Sequence, residues 1–75
     1  MDKDVKIVHD WVRERFKAKR KEMNLSIREL AAAAGVDYAL VDEFERKGRD
    51  IRLSKLIAIA QALNIDLFSS LRVKP

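Results

Sequence analysis

Cysteine is missing from this 75-residue chain, and glycine (two), proline (one) and histidine (one) are scarce. Without cysteine there are no disulfides and no thiolate metal sites, and a reducing compartment is the expected setting. His9 alone makes no metal cluster. One histidine, no glycine-rich phosphate loop and no carboxylate pair placed for a cleft leave no enzyme signature, so no catalytic residue, metal or cofactor is expected. No apolar run approaches the length of a membrane span, and Met1-Asp2-Lys3-Asp4 lacks the basic-then-apolar layout of a secretory leader. The expectation is a cytoplasmic protein with no membrane partner, and the Met start and basic end suit a whole protein forming one domain over residues 1–75.

What is present is helix-forming sequence. Apolar residues make up 48% of the chain, which argues against disorder, and the near absence of helix breakers points to an all-α fold. So short a chain needs well-formed helix packing or a partner subunit to be stable. Val5, Val8, Val12 and Phe16, with Trp11 beside them, recur at helical spacing and predict a first helix from about residue 4 to 22. His9 is expected on its solvent side. Asn24 is placed to stop that helix in the left-handed conformation. Ser26 and Glu29 form a capping-box pattern for a second helix, about 27–34. Gly35 suits its end, and Asp37 is placed to cap a third helix, about 38–46, that buries Leu40, Val41 and Phe44. A fourth helix is predicted over about 53–63, ended by Asn64. A short fifth over about 66–71 would hold Leu67, Phe68 and Leu71. The expected architecture is a compact five-helix bundle containing a helix-turn-helix at about 26–46.

The net charge of +4 is unevenly distributed. Six cations and two anions lie between Arg13 and Glu22, four anions and no cation between Val36 and Glu45, and five cations and one anion between Arg46 and Lys55. Basic blocks therefore flank an acidic third helix. A helix-turn-helix in a small basic protein is first of all a DNA reader, yet Asp42 and Glu43 on the outer face of its second helix oppose attraction to phosphate.

Leu25-Ser26, Glu29-Leu30-Ala31, Gly35-Val36, Val41, Phe44-Glu45-Arg46 and the run from Leu56 to Ile65 together resemble the Xre-type helix-turn-helix domain of phage repressors and Cro (lambda-repressor-like). Arg49-Asp50-Ile51 after the Glu-Arg pair is similar to restriction–modification controller proteins. The resemblance covers residues 20–71. It implies a homodimeric transcriptional regulator, in a bacterial, phage or plasmid context, that binds double-stranded DNA with its third helix in the major groove. Carried onto this chain, it puts Tyr38, Ala39, Asp42 and Glu43 at base edges. Ser26, Ile27, Arg28, Arg46, Lys47, Arg49 and Arg52 would lie near phosphates. It also pairs Arg20 with Glu45. Ile27 stands where glutamine is common, which removes one phosphate contact.

On the residues' own chemistry, the Tyr38 ring suits a thymine methyl and its hydroxyl a phosphate or base, while a carboxylate at 43 suits the amino group of cytosine. The family resemblance makes Leu67, Phe68 and Leu71 candidates for a dimer contact, and Trp11, beside the apolar stripe of the first helix, is another. The alternative function is a protein-interaction module on the same fold, whose acidic third helix docks a basic protein partner instead of DNA.

Overall fold

The structure, a computed structural model, describes residues 2–67. Among these, α1 spans Lys3–Glu22, α2 spans Ile27–Ala34, α3 spans Tyr38–Asp42 and α4 spans Leu53–Ala62. No strand occurs among the described residues, and none of their helices is long and apolar enough to cross a membrane. Four helices are thus seen; the fifth, expected over about 66–71 with Phe68 and Leu71, falls almost wholly outside the described residues.

Each helix begins and ends for a local reason. The Asp2 carboxylate accepts the Asp4 N–H at 2.8 Å and caps α1. At α2 the capping box closes in both directions: the Glu29 N–H donates to the Ser26 hydroxyl at 3.0 Å, and the Ser26 N–H donates to the Glu29 carboxylate at 2.9 Å. That received hydrogen bond stabilises the ionised form and lowers the Glu29 pKa below the usual glutamate value. Asp37 occupies the N-cap position of α3, but its side chain makes no capping bond; its carbonyl alone serves the first turn.

The ends of α1, α2 and α4 share one device. Asn24, Gly35 and Asn64 take positive φ, and the next residue's N–H reaches back five positions: Leu25 to Arg20, Val36 to Ala31, Ile65 to Ala60. This is the Schellman closure, completed each time by an apolar side chain folded against the core.

The third helix departs from expectation. It is α-helical only to Asp42 and continues as a π-helical turn over Glu43–Lys47. Within this turn two consecutive residues, Phe44 and Glu45, are both buried. The turn also ends one residue longer. Gly48 takes φ +69°, and the Arg49 N–H reaches back six positions to the Glu43 carbonyl, at 3.2 Å.

The core joins Val12, Phe16, Leu30, Ala31, Val41, Phe44, Ile59, Ala60, Leu63 and Leu67. The small side chains of Ala31 and Ala60 suit the close packing of α2 on α4, while α1 lies across the π turn. Phe44 is the centre of an aromatic group, edge-on to Phe16 at 6.1 Å and to His9 at 5.3 Å. His9 is therefore not the solvent-exposed residue expected. It shares the α1 face of Phe16, and its Nε2 is buried with no hydrogen-bond partner among the described residues.

Two measurements test this account. Phe44→Ala should destabilise the fold by about 4 kcal/mol in urea unfolding, as loss of a buried aromatic does. For Glu29 the folded-state pKa lies below the unfolded one, so its contribution is present above the ordinary glutamate pKa and is lost as pH falls through the lowered value. A pH series of thermal melts should show Glu29→Gln losing part of the acid-dependent drop in stability; an unchanged pH profile would contradict the assignment.

Candidate nucleic-acid interface

The expected DNA-facing residues lie on α2, α3 and the segment that follows. Their placement depends on two arginines of α1, two helical turns apart. Arg20 Nε donates to Glu45 Oε2 at 2.9 Å and its Nη2 to Oε1 at 2.5 Å, a planar two-bond fork. Its remaining Nη1 donates to the Leu25 carbonyl at 2.7 Å. The two side chains are only 12% and 5% exposed. Hydrogen bonding to Glu45 raises the Arg20 pKa above its already high ordinary value. One guanidinium thus ties α1, the turn before α2 and the end of the third helix together.

Arg13 makes the second tie. Its Nε donates to the Phe44 carbonyl at 2.8 Å and its Nη2 to the Glu45 carbonyl at 2.9 Å, while Asp10 accepts from Nη1 at 3.1 Å. These are carbonyls of the last turn, where a helix lacks internal donors. Gly48 leaves room for this group: a Cβ there would stand 3.0 Å from Arg13 Nη1. Sequence reasoning missed Arg13. Its signal was the seven-residue interval to Arg20, which puts both guanidiniums on one face of α1.

The outward face divides into two parts. At one end, the Arg28 guanidinium stands 4.5 Å above the Tyr38 ring, joining the first turn of α2 to the first turn of α3. Tyr38 and Ala39 are exposed, as expected of residues facing a groove. Ser26, a phosphate candidate, has its hydroxyl engaged in the capping box.

At the other end, the acids of α3 and the cations after it meet. Asp42 accepts from Arg46 Nη1 at 3.3 Å, and Glu43 accepts from Arg49 Nη1 at 2.6 Å. Asp42 is largely covered, with 17% of its side chain exposed, so it does not simply point at water. Lys47 and Arg52 are exposed and make no ion pair among the described residues. The acidic helix that the sequence presents is thus locally neutralised, and two cations beside it are left over.

Two of the dimer candidates, Trp11 and Leu67, are among the described residues. Trp11 is 47% exposed, with Arg15 set over its ring at 5.7 Å. Val5, Val8, Leu53 and the buried Leu67 line an open apolar groove between the start of α1 and the start of α4. Phe68 and Leu71 lie outside the described residues. No group of three or more histidines and carboxylates suited to a metal occurs among the described residues.

Comparison with known proteins gives one positive finding. The family HTH_3, described as helix-turn-helix, matches residues 16–68, more than half of the chain. No curated protein and no solved structure matches it.

The clamp has a measurable consequence. Arg20→Ala should cost about 3 kcal/mol in urea unfolding, because it leaves the Glu45 carboxylate buried and unpaired. Replacing both by apolar residues, Arg20→Met with Glu45→Leu, should cost less than either truncation alone. Arg13→Ala, which strips two carbonyls of their donor, should cost about 2 kcal/mol.

Proposed function

Because the chain belongs to the Xre-type helix-turn-helix family, whose domain is that of DNA-binding regulators, we propose that it is a sequence-specific transcriptional regulator acting as a homodimer, with α3 in the major groove of double-stranded DNA. The observation that carries this reading is the charge arrangement around α3. Asp42 and Glu43 are each paired with an arginine, while Arg28, Lys47 and Arg52 stand exposed around them. An acidic recognition helix would repel phosphate; a neutralised one bordered by free cations does not.

Roles follow from position. Arg28, Lys47 and Arg52 contact phosphates on either side of the groove and set the register. Tyr38 and Ala39 meet base edges, where the tyrosine ring suits a thymine methyl. The same charge pairing speaks against the protein-docking alternative, since a basic partner would find few unpaired carboxylates on α3. Support for the dimer comes from the apolar side chains Val5, Ile7, Val8 and Trp11, which α1 leaves exposed.

Selection from a random duplex pool, followed by anisotropy titrations at several salt concentrations, tests the reading. The expected product is a two-fold symmetric motif. Lys47→Ala and Arg52→Ala should each weaken all duplexes alike and reduce the salt slope by about one, whereas Tyr38→Ala should relax preference at one position in each half-site. No binding even at low salt would overturn the proposal. Sedimentation of Trp11→Glu, expected to be shifted towards monomer, tests the dimer surface separately.

A further inference from the structure

Glu43 and Arg49 are six residues apart, a spacing that puts two side chains on different faces of a straight α-helix. The π turn and the left-handed Gly48 fold the chain back so that these two residues meet twice. The Arg49 N–H donates to the Glu43 carbonyl at 3.2 Å, and the Arg49 guanidinium donates to the Glu43 carboxylate at 2.6 Å. Backbone and side chain together make a clasp at the end of the recognition helix.

The clasp is exposed on its cationic side. The Arg49 side chain is 67% exposed and the Glu43 side chain 34%, and the carboxylate engages Nη1. The guanidinium keeps donors directed at solvent on the side that the DNA-binding reading turns towards the phosphates. The carboxylate belongs to the third helix itself, on the groove side.

From this geometry we propose that Glu43 is a specificity-determining residue that acts through Arg49. The inference rests on the DNA-binding reading above. In the free protein Glu43 holds Arg49; on DNA the guanidinium exchanges the carboxylate for a phosphate oxygen, and Glu43 is left facing the groove. A carboxylate there is repelled by the polyanion unless a base offers it a hydrogen-bond donor, such as the amino group of cytosine. Where the sequence offers none, Arg49 stays on Glu43 and one phosphate contact is forgone. The clasp therefore lowers affinity for arbitrary DNA more than affinity for a matching site. Asp42 is a weaker version of the same device, its bond to Arg46 being longer and its carboxylate more covered.

The test is a double-mutant cycle on the full chain, with a short random-sequence duplex as probe and anisotropy read across a salt series. Glu43→Gln should tighten binding about fivefold, the factor that release of a surface ion pair allows, and should steepen the salt slope by up to about one. In an Arg49→Ala background the same substitution should tighten binding less than about twofold, because only the repulsion is relieved. Equal gains in both backgrounds, or a loss in the first, would overturn the exchange while leaving DNA binding intact. Failure of every variant to bind at low salt would overturn the DNA reading and the exchange with it. A DNA-free arm checks the clasp itself: the Arg49 side-chain Nε–Hε resonance of the free protein should move in Glu43→Gln, and an unmoved resonance would reject the pairing.

Discussion

A fork of two hydrogen bonds between the Arg20 guanidinium and the Glu45 carboxylate, almost closed to solvent, holds the first helix to the end of the third. Everything on the outward face is positioned from there. Glu45 reaches Arg20 from the π turn, where Phe44 and Glu45 are buried side by side. That turn in turn leaves the carbonyls of Phe44 and Glu45 to Arg13, and its longer ending brings Arg49 back onto Glu43. A buried pair of this kind contributes little net stability against an apolar replacement, but removal of either partner is costly. Through Glu45 and the Leu25 carbonyl, Arg20 joins α1 to the turn before α2 and to the end of the third helix.

The charge pattern has a different meaning in three dimensions from the one it has along the chain. In sequence, an acidic block at 36–45 is flanked by basic blocks, which reads as a mixed surface. In the folded chain Glu45 belongs to Arg20, Asp42 to Arg46 and Glu43 to Arg49. Arg28 over Tyr38, Lys47 and Arg52 are left facing outward, with Asp37 and Asp50 the exposed acids among them. The paired acids hold arginines in place.

Much of the fold was legible because its signals are local. Ser26 with Glu29, and left-handed stops at Asn24, Gly35 and Asn64, each act within a few residues, and the helices began and ended where those residues stand. The apolar spacing of Val12, Phe16, Leu30, Val41 and Leu63 identified the core for the same reason. His9 was misjudged because a lone histidine beside an apolar stripe carries no burial signal of its own, while the ring it packs against, Phe44, is thirty-five positions away. Arg13 was passed over because its partners are main-chain carbonyls, which carry no residue-type signal.

Sequence alone determined the ends of α1, α2 and α4, most of the inward faces and the membership of the helix-turn-helix class, since capping chemistry and helical periodicity depend on near neighbours. Only the tertiary structure decided that the third helix ends in a π turn, that Arg13 closes its carbonyls, and that Glu43 meets Arg49. These depend on which residues α1 brings alongside residue 44, and on how the backbone reverses at Gly48. Neither is written in local spacing, because an ion pair forms wherever the packed backbone puts two opposite charges within reach.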